Sequence, residues 1–140
     1  IALDTNVFIY GLEAREPWAT LVRERVFLPL LHGELRAVTS MITLVELATG
    51  PHRAGAPCRV DELLGTFRAI PNLAILALDE TLARASARVR GESTLRLPDA
   101  VQVAAGIVWG ADALLTNDQR LRSAHAQLQI IQLGDLANEG

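Results

Sequence analysis

The chain has 140 residues, half of them hydrophobic, which is enough for a single domain spanning 1–140 with a substantial core. Its formal charge of −3 argues against holding nucleic acid by bulk electrostatics, although a bound divalent cation reverses the local sign without changing the total. All 13 basic residues are Arg, and the lack of Lys excludes a Walker-type P-loop protein and a Schiff-base enzyme.

Ile1-Ala2-Leu3 reads as a buried strand emptying into the polar turn Asp4-Thr5-Asn6. No signal peptide opens the sequence, which begins at Ile1 rather than Met. Val7 to Tyr10 reads as a short helix running into a loop, and Trp18 to Leu31 as a helix that Pro29 should end or kink. After the turn His32-Gly33-Glu34, Leu35 to Thr39 reads as the second strand. Ser40 is a good N-cap for a helix from about Met41 to Thr49, which Gly50-Pro51 should stop. Pro51 to Cys58 then reads as the clearest loop in the chain. Cys58 is the single cysteine, so no internal disulfide forms and a reducing, cytoplasmic setting fits.

A helix follows over Val60 to Ala69, then a strand over Leu73 to Leu78. Asp79 is positioned to cap a helix from Glu80 to Arg90. Past a loop, Pro98-Asp99 opens an Ala/Val-rich helix ending at Trp109-Gly110, with Pro98 suited to a first helical turn. Ala113 to Thr116 reads as a strand, Asn117-Asp118 as the start of a small helix reaching Leu121, and Leu128 to Leu133 as the last strand. No uncharged apolar run approaches the ~18 residues of a membrane span. Apolar strands alternating with helices predict a three-layer α/β/α sandwich around a mainly parallel, roughly five-stranded sheet.

Four acids fall at element ends. Asp4 and Asp118 follow strands, where each could be only a turn cap. Asp99 opens a helix, where the dipole favours a carboxylate in any case. Glu46 is different: it is a lone charge in the apolar run Met41 to Ala48, costly to bury without a partner. Ligands in open α/β sheets bind outside the carboxyl ends of the strands, and the predicted elements deliver all four acids to that edge. Converging carboxylates repel one another unless cations sit between them. Hard oxygen donors without His or Cys select Mg²⁺, or Mn²⁺ in its place. A haloacid-dehalogenase-type phosphatase would want a second Asp where Asn6 stands, and it, like a receiver domain, needs a Lys.

The ordered set Leu3-Asp4-Thr5-Asn6, Thr43-Leu44-Val45-Glu46-Leu47, Leu97-Pro98-Asp99-Ala100 and Leu115-Thr116-Asn117-Asp118 resembles the PIN domain family. More narrowly it is similar to the VapC-type toxin ribonucleases of toxin–antitoxin modules. The resemblance implies a metal-dependent endoribonuclease, with Mg²⁺ as the ion the donors select, acting on single-stranded or loop RNA and partnered by an antitoxin. The apolar Trp18, Trp109 and the run Val7 to Tyr10 are candidates for a homodimer face or an antitoxin groove. It implies Asp4, Glu46, Asp99 and Asp118 as catalytic, metal-holding acids, with Asn6 and Thr116 supporting them. Glu46 and Asp118 are both open as the general base. Arg15, Arg53, Arg59 and Arg96 are each able to bind flanking phosphates. Leu121 departs from the family, which often has Phe there. A catalytically inert PIN-like module that binds a protein or RNA is the alternative, disfavoured by the presence of all four acids.

Overall fold

The computed structural model describes residues 1–122 and 127–139. Its sheet has five strands in the order β3-β2-β1-β4-β5, with every pairing parallel. These are β1 (Ala2–Leu3), β2 (Ala37–Ser40), β3 (Leu73–Leu76), β4 (Ala113–Thr116) and β5 (Gln129–Gln132). Register explains why the strands are apolar throughout. Ala2 lies beside Val38 and Leu114, and all three pack under one helical layer. Leu3 lies beside Leu115, and both pack under the opposite layer. Each face of the sheet is thus covered, giving the expected α/β/α sandwich.

The layer on Ala2, Val38 and Leu114 is built from α6 (Glu80–Gly91) and α7 (Leu97–Trp109), through Leu82, Val89, Val101 and Ala104. Gly106 lets α7 lie close on the sheet, since a Cβ there would meet Leu128 at 2.8 Å and Ala2 at 3.0 Å. The other layer holds α1 (Thr5–Leu12), α2 (Trp18–Val22) and α5 (Cys58–Arg68), with Phe8 packed edge-on against Phe67 at 5.2 Å. A short helix, α8 (Leu133–Asn138), follows β5 and was not foreseen.

Of the two helical prolines, Pro51 departs from expectation, whereas Pro29 follows an irregular turn in its helix. Pro29 does not end its helix. A π turn at Arg23–Phe27 links α2 to α3 (Leu28–His32), with the Leu28 N–H reaching back to the Arg23 carbonyl. Pro29 then falls in the first turn of α3, where its missing N–H matters least. Likewise Gly50-Pro51 does not stop α4 (Met41–Arg53), which runs through Pro51. Thr49 donates its hydroxyl to the Val45 carbonyl at 2.7 Å, a back-bond of the kind that bends helices. The expected Pro51–Cys58 loop shrinks to the few residues between α4 and α5. Ser40, Asp79 and Asp118 cap the elements predicted for them.

Candidate active site

The chain starts in the middle of the sheet. From β1 it winds outwards through β2 to β3, then returns to lay β4 and β5 on the other side. The winding direction therefore reverses between β1 and β4, and a crevice at such a switch point is the expected ligand site. Asp4 leaves the carboxyl end of β1, and Thr116 ends β4 directly beside it: Leu3 is in register with Leu115, and the Asp4 N–H donates to the Leu115 carbonyl at 3.0 Å.

Asp4 is 7% exposed and fully engaged. Its Oδ1 accepts the Thr5 N–H at 2.8 Å, and its Oδ2 accepts the Thr116 hydroxyl at 2.6 Å and the Asn6 amide at 3.1 Å. Asn6 in turn accepts the Asn117 N–H at 3.2 Å, tying the turn after β1 to the turn after β4. Thr116 also accepts the Asp118 N–H at 3.0 Å. Burial raises the proton affinity of Asp4. The Thr116 and Thr5 bonds oppose that rise, and the charges of Asp99 and Asp118 add to it.

Glu46 projects from α4, where Thr5 donates to its Oε1 at 3.0 Å. Its proton affinity is raised too, first by desolvation and then by Asp4 and Asp99, against the opposing Thr5 bond and Arg96. One side of Glu46 remains exposed to water, so burial acts on only part of the carboxylate. Asp99 stands in the first turn of α7 with Arg96 at 3.6 Å. All four predicted acids thus lie at one edge of the sheet, within electrostatic reach of one another.

Asp118 carries the feature that sequence reasoning missed. Arg120 grips its carboxylate in a fork, with Nε at 3.0 Å from both oxygens and Nη2 at 2.5 Å from Oδ2. That fork holds the proton affinity of Asp118 below the ordinary carboxylate value. The Arg120 charge also reaches Asp99 and Asp4. Of the four arginines considered for phosphate, Arg96 is at this edge, whereas Arg15 pairs with Glu13.

Among the described residues, no three Asp, Glu, His or Cys side chains are already gathered into one metal-ligand cluster. The donor chemistry nonetheless fits Mg²⁺ or Mn²⁺: the donors are carboxylate oxygens, and neighbouring acids add to the raised proton affinity of Asp4 and Glu46. Asp4, Asp99 and Glu46 would hold such an ion, and Asp118 would join once Arg120 releases it.

An α/β/α sandwich with acids gathered at its switch point is a frame that hosts several chemistries, so the family has to come from a closer likeness. The chain belongs to the PIN domain family, whose model matches residues 1–126. Membership places it among nucleases. No curated protein matches it. Among solved structures, a DNA-bound VapBC complex from Salmonella typhimurium matches at 26% identity and a TM-score of 0.71, covering 94% of this chain and 96% of that one. VapBC2 from Rickettsia felis, bound to a promoter DNA fragment, matches at 19% and 0.69, covering 93% and 96%. A toxin–antitoxin complex from Klebsiella pneumoniae matches at 20% and 0.66, covering 95% and 98%. The likeness to VapC-type toxins that the motifs carry is borne out in these matches.

Proposed function

We propose that this protein is a Mg²⁺-dependent endoribonuclease that cuts single-stranded or loop RNA as the toxin of a toxin–antitoxin pair. The observation that carries the reading is the convergence of Asp4, Glu46, Asp99 and Asp118 on the β1/β4 switch point, each coupled to its neighbours by repulsion. Likeness to toxin–antitoxin complexes supports an antitoxin partner, and a second copy of the chain completes the proposed assembly.

Asp4, fixed by Thr116 and Asn6, would hold the ion together with Asp99 and Glu46. When bound, the metal lowers the pKa of a water and neutralises the scissile phosphate. Glu46 or Asp118 would take the proton from the water as its oxygen bonds to phosphorus and the P–O bond opposite breaks, the departing ribose oxygen taking a proton from solvent. Arg96 and Arg120 flank the acids and fork onto neighbouring phosphate oxygens, supplying locally the positive charge that the chain lacks overall.

The purified protein is expected to cleave single-stranded RNA with Mg²⁺ or Mn²⁺. Loss of the ion forfeits several kcal/mol of charge stabilisation, so Asp4→Asn or a chelator lowers the rate on the order of 10³-fold, at ~1.4 kcal/mol per tenfold. Cleavage that continues unchanged after both treatments rejects the mechanism. Absence of Mn²⁺ binding by calorimetry points instead to an inert module.

A further inference from the structure

Beneath Glu46 lies a closed polar network that none of the four-acid reasoning uses. Gln102, in the middle of the apolar face of α7, is 2% exposed, and Thr5, Thr39, Ser40 and Thr43 around it are as deeply buried. The Gln102 amide donates one hydrogen to Thr43 Oγ1 at 2.6 Å and the other to Thr5 Oγ1 at 3.2 Å. Its Oε1 accepts the Ser40 hydroxyl at 3.0 Å. Ser40 is itself an acceptor for the Ile42 N–H at the start of α4, so its hydrogen is free to point at Gln102.

Hydrogens can be assigned by elimination from there. Thr39 donates to the Leu3 carbonyl at 3.0 Å, which leaves it to accept from Thr43 at 2.8 Å. Thr43 therefore spends its hydrogen on Thr39 and accepts from Gln102. Thr5 accepts from Gln102 and has its own hydrogen left; Thr43 at 3.1 Å and Glu46 at 3.0 Å both stand within its reach, and the charged carboxylate is the stronger acceptor. Turning the Gln102 amide over would aim Oε1 at Thr5 and Thr43 and draw the Thr5 hydrogen away from Glu46. The amide orientation is thus coupled, through one hydroxyl, to a side chain of the candidate site.

We propose that Gln102 is a positioning residue: its carboxamide occupies the acceptor side of the Thr5 hydroxyl and so favours Thr5 as a donor to Glu46 Oε1, which orients the Glu46 carboxylate toward its ligand. The purpose of this positioning rests on the nuclease reading above, whereas the hydrogen-bond chain stands on geometry alone. No other acid of the site is reached this way; Asp4 is held by Thr116 and Asn6 instead.

The test uses the metal-free full chain first. In carbon-13 spectra, the Glu46 carboxyl resonance is expected to move in the same direction in Thr5→Val and in Gln102→Met, and to return to its wild-type position in Thr5→Ser. Thr5→Val keeps the side-chain shape, so it remains informative if Gln102→Met folds poorly. A Glu46 resonance unmoved by Thr5→Val overturns the proposal, as does one that moves in Thr5→Val and stays displaced in Thr5→Ser. Mn²⁺ titration then follows, with affinity lowered by about tenfold in Thr5→Val and restored in Thr5→Ser, as for other groups that orient metal ligands. A wild-type chain that binds no Mn²⁺ overturns the metal reading while leaving the carbon-13 result standing, so the two failures are distinguishable.

Discussion

The inner and outer halves of the acidic site are built on opposite principles. Inside, Asp4, Thr5, Thr43, Gln102 and Thr116 are shut away from water, and among the described residues no buried side-chain nitrogen or oxygen lacks a partner. At the rim, Asp118 and Asp99 answer to Arg120 and Arg96, whose side chains are 58% and 67% exposed. A buried hydroxyl cannot exchange its partner for water, so the inner bonds fix rotamers and hydrogen directions. An exposed ion pair is worth little and is exchanged easily. The inner half orients ligands; the rim is where charges can be traded for a metal or a phosphate.

Breaking the inner half should have the larger effect. Thr116→Val keeps shape but removes the donor to Asp4 and the acceptor for the Asp118 N–H. Hydrogen bonds to charged groups contribute ~1.5–3 kcal/mol, so urea unfolding of the metal-free protein should show a loss in that range. Divalent-ion affinity should fall about 10–100-fold with it. An unfolding midpoint that matches wild type would mean Thr116 does not hold Asp4.

A smaller effect is expected from pH, because Asp4 is a buried acid whose proton affinity is raised. The folded state then binds more protons than the unfolded state between the ordinary carboxylate value near ~4 and the raised value. Its contribution to stability is most favourable at low pH and declines as pH climbs through that window. Mn²⁺ binding to the ionised form should flatten the decline. Thermal unfolding across that pH range, with and without Mn²⁺, reads both slopes. A metal-free protein that gains stability from this group as pH rises would contradict the burial of Asp4.

Much of the outer frame was legible because one-dimensional signals encode it. Ser40, Asp79 and Asp118 cap helices or turns as their residue types suggest, and five apolar runs became five parallel strands. Glu46 stood out as a charge in an apolar helix. The same signal marked Gln102, a lone amide in an Ala/Val helix, but a neutral residue draws less notice than a charge. Thr5 and Thr43 stand in the motifs that carry the family resemblance, but nothing in the sequence tied their hydroxyls to Gln102 or Glu46, since hydroxyls at helical positions are compatible with either face. Arg120 escaped because a pair two residues apart follows no helical spacing and forms only in the cap that Asp118 makes. Pro51 misled because α4 runs on through it to Arg53, and no pattern in the sequence marks a proline that its helix tolerates.

The rim prediction is the smallest in stability and the sharpest in sign. Arg120→Gln removes the fork on Asp118 but leaves the backbone N–H of residue 120, which caps Asp118 Oδ1 at 2.9 Å. Because the pair is exposed, unfolding free energy should change by less than ~1 kcal/mol. Divalent-ion binding should respond in the opposite direction from the inner variants. With the guanidinium gone, Asp118 no longer has to exchange a cation of the chain for the metal, and Asp4 and Asp99 lose a competing positive charge. Mn²⁺ should bind Arg120→Gln more tightly, by a factor on the order of tenfold, or ~1.4 kcal/mol. RNA should bind it less tightly, since a phosphate-forking group is lost. If Mn²⁺ affinity instead falls in Arg120→Gln as it does in Thr116→Val, Arg120 orients Asp118 for the metal rather than competing with it, and the division between a fixed interior and an exchangeable rim fails at that residue.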